Sequence, residues 1–275
     1  MKLIQFYHEK RIRPGILKGD MIFPFHAVGD MIDVISECTW DRYERGAPIP
    51  LNGSSLAPPV TRPSKIMALG LNYRDHAKES KGKIPKTPLI FAKFPNSLTA
   101  HGKPITWGIT VSEKVDFEAE LAVIIGKAVY RIPEEDAIKA VFGYTCANDV
   151  SARDLQFGDG QWVRGKSLDT FCPLGPWIVT PDELPEPHSL SIRCLVNGRV
   201  MQDSNTGQMI FGIPEVISFL SRHFTLNPGD IILTGTPHGV GAFRDPPFYL
   251  SDGDEVVVEI ESIGQLANPC SVTED

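Results

Sequence analysis

The chain has 275 residues, 42% hydrophobic and 22% charged, and a formal net charge of -7. That is the balance of an ordinary globular protein with ample length for a large core and no basic stripe to neutralise phosphates, so no nucleic-acid partner is expected. No apolar run reaches the roughly 18 to 20 residues that cross a bilayer, and MKLIQFYHEKRIRPG puts charges where a signal peptide is apolar. No membrane partner is expected, and a cytoplasmic location follows by default.

Residues 1 to about 45 carry short apolar runs (Leu3 to Tyr7, Met21 to Phe25, Met31 to Ile35) separated by Gly, Pro and Asp, which predicts a few short strands and turns. The next stretch, GAPIPLNGSSLAPPVTRPSK, holds five prolines and sustains neither a helix nor a central strand. A boundary near residue 60 follows, with a small β-rich module and Pro-rich linker over 1–60 and a catalytic domain over 61–275. Beyond it come strand-like runs: Lys65 to Leu69, Leu121 to Ile125, Trp177 to Val179, Ile231 to Thr234 and Glu255 to Ile260. Two helices are predicted behind prolines, Ala137 to Phe142 after Pro133 and Glu215 to His223 after Pro214. Strands outnumber helices, and the turns Asn227 to Asp230 and Ser251 to Asp254 set the late strands close together, as in meanders. The five cysteines, Cys38, Cys146, Cys172, Cys194 and Cys270, are odd in number and lack a C-x-x-C pair, which predicts buried or neutral thiols and no disulfide framework.

Four segments carry chemistry. After the strand near Leu69, His76 and Glu79 stand three apart on a short predicted helix, where a carboxylate fixes the imidazole tautomer and raises its basicity. The polar, proline-bounded SKGKIPKTP that follows has the composition of a lid, which is expected over residues about 74 to 86. In VDFEAELAVII, Asp116, Glu118 and Glu120 alternate onto one strand face; such a face is either hydrated or holds a hard divalent cation. Asp149 is expected to open a helix on which Arg153 and Gln156 point the same way, either as a capped i,i+4 pair or as part of a binding site. LTGTPHGVG breaks a strand into a glycine-rich turn. The letters GQWVRGKS at 160 to 167 match a phosphate-binding loop, but a polar segment precedes them and Pro173 and Pro176 follow too soon for a helix. Lys166 is then a cation free for another anion.

In this order, GLNYRDHAKE, VDFEAELAVIIG, GYTCANDVSARDLQ, RGKSLDTFCPLGPWI, QDSNTGQMIF and PGDIILTGTPHGVG resemble the fumarylacetoacetate hydrolase family over roughly residues 60 to 270. The resemblance implies a predominantly β, α+β fold, a mixed β-sandwich roll with few short helices, assembled as a homodimer with one Mg²⁺ or Mn²⁺ per site. It implies Glu118, Glu120 and Asp149 as metal ligands, with Asp116 outside the set, and His76 and Glu79 as a dyad on the lid. Lys166 would be the cation near a developing enolate, and Arg153, Gln156 and Thr236 would contact a small 2-oxo or 2,4-dioxo acid. His238 departs from the residues usual after the TGTP turn. With the dyad in place, the expected reaction is hydrolysis of a C–C bond in an acylpyruvate-like acid. Isomerisation or decarboxylation of 2-hydroxydienoate or oxaloacetate-like diacids is the runner-up, and a non-catalytic metal-binding paralogue a third reading.

Overall fold

The computed structural model describes residues 1–26, 29–37, 45–52 and 54–274. Cys38, one of the five thiols discussed above, lies outside the described residues. Among the described residues, an eleven-stranded mixed sheet runs from one edge through Ile49–Pro50, Met21–Pro24, Arg11–Lys18, Lys2–His8 and Cys172–Val179. It continues through Val141–Asn148, Ala119–Ile125, Ile231–Leu233, Ile66–Gly70 and Leu89–Lys93, while Leu98–Ala100 pairs in parallel with Cys172–Val179. A five-stranded sheet, in the order Arg199–Asn205, Ser191–Val196, Glu255–Ile260, Gly264–Thr273 and Ile105–Gly108, packs against it.

Ala119–Ile125 shows why two layers form. Every residue of it is buried, and its side chains alternate between two cores. Leu121, Val123 and Ile125 pack with Cys194, Val256, Val258 and Leu266 from the second sheet. Ala122 and Ile124 pack on the other side with Met31, Val34 and Val60 from the first sixty residues. Those residues also extend the sheet: Lys2 and Leu3 register with Val179 and Ile178. The proline-rich stretch lies along the same strand, with Ala57 N donating to Gln5 O at 3.0 Å. The mixed sandwich with few, short helices is the fold the sequence predicts; the longest, Ile213–His223, has 11 residues and buries Ile213, Val216, Ile217 and Leu220 at helical spacing.

Two local expectations fail. Met31–Glu37 is a helix and not a strand. Asp30 Oδ1 accepts the Ile32 N–H at 3.0 Å while Asp33 Oδ2 accepts that of Asp30 at 3.1 Å, a reciprocal cap that outweighs the β-like apolar run. The helix after Pro133 is shorter than expected, Glu134–Ala137 plus a tight turn over Ile138–Ala140, because Val141 already belongs to a strand. The strand Arg11–Lys18 follows a two-residue turn at Glu9 and Lys10, both with positive φ, which neither residue type advertises.

The four described cysteines are buried and free. Burial raises the thiols of Cys172 and Cys270 to about 12 and also raises those of Cys146 and Cys194, so all four stay protonated.

Candidate active site

Four strands of the large sheet end at one edge: Ile66–Gly70, Val141–Asn148 and Ile231–Leu233 with their C-termini, and Ala119–Ile125 with its N-terminus. The chain leaving each end brings one part of the site. Glu118, Glu120 and Asp149 meet there, with one ligand oxygen from each within 4.8 Å of the others. Glu118 and Asp149 are tied by backbone, since Asp149 N donates to Glu118 O at 2.9 Å and Glu118 N to Asn148 Oδ1 at 2.9 Å.

The acidic row is not one hydrated strand face. Strand pairing stops at Asp116 and resumes at Ala119, and Asp116, Glu118 and Glu120 are 0%, 6% and 1% exposed. Asp116 leaves the group entirely. It accepts N–H groups of Phe117, Gly241 and Ala242 and the Arg153 Nε, all at 2.8 to 3.0 Å. Replacing Asp116 with Ala takes one of two carboxylate partners from a buried guanidinium and leaves three amides unpaired, and is expected to cost about 3–5 kcal/mol of unfolding free energy. A urea midpoint equal to that of the parent protein would show that the Asp116 network contributes nothing.

Asp149 does not open a helix, which corrects the expectation above. It follows the strand directly, and Arg153 is the first residue of the helix Arg153–Asp159. Arg153 therefore pairs with Asp116 and Glu118, at 2.8 and 2.7 Å, and not with Asp149. Gln156, one turn on, accepts from Arg153 Nη1 at 2.9 Å. One partner of Asp149 is Lys166, whose Nζ lies 2.6 Å from Asp149 Oδ2 and 2.9 Å from Glu118 Oε2. GQWVRGKS follows the helix Arg153–Asp159, and no strand precedes it; its lysine is taken up by carboxylates.

Burial pushes the Glu118 carboxyl up, but Lys166 and Arg153 outweigh it and hold the group well below its ordinary value. Glu120 goes the other way: burial first, then Asp149 and Glu118, raise it far above the carboxylate range. Its Oε2 accepts the Gly235 N–H at 2.7 Å, while its Oε1 is buried without a partner. A buried oxygen left unmatched among three converging carboxylates is what a hard dication would satisfy, and an all-oxygen donor set suits Mg²⁺ or Mn²⁺. These residues fit such an ion.

His76 lies on the helix Arg74–Glu79, its Nδ1 3.1 Å from Glu79 Oε2. Glu79 Oε1 accepts the Gly239 N–H at 2.9 Å, so the TGTPHG turn holds the dyad. Within that turn Thr236 donates to Ala119 O and accepts from Gln202 Nε2, and Gly235 has φ +92 with a Cβ position 2.8 Å from Asn72 Cβ, where only glycine fits. His238 turns away to Asp75, its Nδ1 3.0 Å from Asp75 Oδ2, and is half exposed. The expected lid, residues 74 to 86, is this helix and the exposed loop after it.

Lys93, Gln202 and Trp162 escaped the sequence reading. Lys93 is fully buried; its Nζ donates to Asp149 Oδ1 at 2.6 Å, to Val150 O at 3.3 Å and to Lys166 O. All three protons are engaged, so Lys93 holds Asp149 and the Lys166 backbone in place and has none to spare for chemistry. Lys93→Met should lower unfolding free energy by about 3–5 kcal/mol, because it leaves part of a buried charge uncompensated. Unchanged denaturant melting would contradict this. In sequence Lys93 is one lysine closing the apolar run LIFAK, a pattern typical of any strand end.

His76, Glu118, Arg153, Gln156, Lys166 and Thr236 line one cavity of ≈ 220 Å³, with Glu79 behind His76. Among the described residues no helix is long and apolar enough to cross a membrane.

The fumarylacetoacetate (FAA) hydrolase C-terminal family matches residues 65–271. A Xenopus laevis protein named oxaloacetate tautomerase fahd2, mitochondrial, is 51% identical over 217 residues, covering 78% of this chain and 68% of that one; its name assigns it to an organelle, where the sequence reading here expects the cytosol. Fumarylacetoacetate hydrolase from Exiguobacterium antarcticum superposes with TM-score 0.88 at 35% identity, covering 99% of this chain and 100% of that one. 5-carboxymethyl-2-hydroxymuconate delta-isomerase from Mycobacterium smegmatis does so with TM-score 0.85 at 34% identity and the same coverage. With its motifs, its fold and these matches in agreement, the chain belongs to the fumarylacetoacetate hydrolase family.

Proposed function

We propose that this enzyme is an isomerase that moves a proton between C3 and the C2 oxygen of a small 2-oxo acid, with an oxaloacetate-like acid as first candidate substrate. One observation carries the reading: half of 217 aligned positions are shared with a protein named oxaloacetate tautomerase. A structural neighbour named as a delta-isomerase supports the same chemistry. Proton relocation therefore ranks above the C–C hydrolysis that the dyad alone suggested.

Mg²⁺ or Mn²⁺ held by Glu118, Glu120 and Asp149 would supply a Lewis acid that polarises the 2-oxo group and stabilises enolate charge. The remaining work falls to this chain's side chains. His76, its tautomer fixed by Glu79, takes and returns the proton at C3. Lys166 stays charged because Asp149 and Glu118 outweigh the effect of its burial, and it donates where negative charge gathers on the C2 oxygen. Arg153 and Gln156 orient the C1 carboxylate. The assembly proposed is a homodimer, for which light scattering is expected to give twice the chain mass of 30.3 kDa.

The test dilutes enol-enriched oxaloacetate from a dry solvent into buffer with Mg²⁺ and follows the ultraviolet absorbance of the enol. The reading expects enzyme to speed its decay well above the spontaneous rate, without matching pyruvate release. No acceleration, together with cleavage of an acylpyruvate, would overturn it in favour of hydrolysis. Pyruvate formed at the rate of enol loss would favour decarboxylation.

A further inference from the structure

Beside its polar groups the cavity has an apolar wall of Leu71, Phe91, Phe157, Trp162 and Phe243. Phe91 and Trp162 meet edge to face with ring centroids 5.2 Å apart. Gly70 makes room for this, since a Cβ there would lie 2.7 Å from Trp162 Cζ3. The wall borders both groups assigned to proton handling: Lys166 Nζ is 5.1 Å from the Phe91 ring centroid, and the Phe243 ring is 5.7 Å from that of His76. Phe157 and Phe243 are 61% and 41% exposed at this cavity, two large apolar surfaces left facing water.

Charge points the same way. The lysine and arginine side chains lining the cavity are Arg153 and Lys166. Arg153 pairs with Asp116, Glu118 and Gln156, its Nη2 near Asp116 but without a formed hydrogen bond, and Lys166 pairs with Glu118 and Asp149; in the reading above both are used by the C1 carboxylate and C2 oxygen of the substrate head. A second carboxylate on the substrate tail would lose water against aromatic faces with no uncommitted lysine or arginine among these lining residues. A flat apolar tail would instead cover Phe157 and Phe243.

We infer that this wall is a subsite for a planar apolar substituent on C3, so that aryl-bearing and unsaturated 2-oxo acids are better substrates than oxaloacetate. The inference rests on the proton-transfer reading for its catalytic test, and a binding test separates the two. With Mg²⁺ present, kcat/KM for keto–enol exchange of phenylpyruvate is expected to exceed that for oxaloacetate at least tenfold. Phe157→Ala, a change at an exposed ring that does not threaten the core, should lower the ratio of the two values several-fold, and Trp162→Ala should lower it further, mainly through KM for phenylpyruvate.

Binding is read by calorimetry with benzoylformate, which has the 2-oxo acid head, a phenyl tail and no C3 proton to move. It should bind at least tenfold more tightly than pyruvate to the parent protein, and Phe157→Ala should narrow that margin. If oxaloacetate is turned over faster than phenylpyruvate and benzoylformate shows no advantage over pyruvate, the subsite is refuted while the proton-transfer reading stands. If neither acid is turned over but the benzoylformate margin exists and narrows in Phe157→Ala, the subsite stands and the reaction assignment fails. Should neither turnover nor a binding margin be found, both are wrong.

Discussion

Glu118→Gln should yield a folded protein that takes up Mg²⁺ or Mn²⁺ at least roughly 10²-fold more weakly and turns over almost nothing, a loss beyond the upper end of what removing an outer-shell partner costs. Glu118 is the member of the acid group held charged by Lys166 and Arg153. A neutral amide there would leave two buried cations with less to balance them, and these would repel an incoming dication. Glu120→Gln should separate affinity from stability. The Glu120 carboxyl is disfavoured as an anion by burial and by Asp149 and Glu118, so the amide should raise the melting temperature of the metal-free protein by roughly 2–4 °C, about 1 kcal/mol. The same variant should lose the upward shift that metal gives the parent protein, about 2.7 kcal/mol at a hundredfold excess over Kd. Calorimetry with Mn²⁺ and melting scans with and without it check both statements. Parent-like affinity in Glu118→Gln would place the metal elsewhere.

His76→Ala should cut keto–enol exchange by roughly 10²–10⁴, the usual contribution of a positioned acid–base group. The dyad geometry, 3.1 Å from Nδ1 to Glu79 with Glu79 anchored on the Gly239 amide, is the basis for this. Any residual loss of CO₂ from oxaloacetate should fall much less, because that path requires no proton to be taken from C3. Lys166→Met should damage both, since its ammonium serves the enolate common to them. The rates must be compared at saturating Mg²⁺, so that a weakened site cannot imitate a lost base. Equal losses in both activities on removing His76 would refute this division of roles.

Much of this was legible in the residues themselves. Long ordered motifs identified the family, and the apolar run Leu121 to Ile125, flanked by turn residues, marked a buried strand. His76 with Glu79 proved to be a hydrogen-bonded pair because three positions on a helix bring the two side chains together, whereas Asp149 reaches Glu118 and Glu120 only through strand pairing, a meeting that the family resemblance implied and spacing did not.

Partnerships that close across the fold were not legible. Asp116, Glu118 and Glu120 read as one alternating face, yet the strand breaks at Phe117 because three backbone N–H groups and Arg153 draw Asp116 elsewhere. Helical spacing offered Asp149 as one partner for Arg153, which is bound instead to Asp116, 37 positions away. Lys93 meets Asp149 across 56 positions and the Lys166 backbone across 73. Sequence alone thus determined the fold family, the acid-rich segments and the dyad. Which cation neutralises which carboxylate, and which aromatic rings wall the cavity, was decided only by tertiary structure, because burial makes each unpaired charge so costly that it is satisfied by whatever partner the sheet brings near, however distant in the chain.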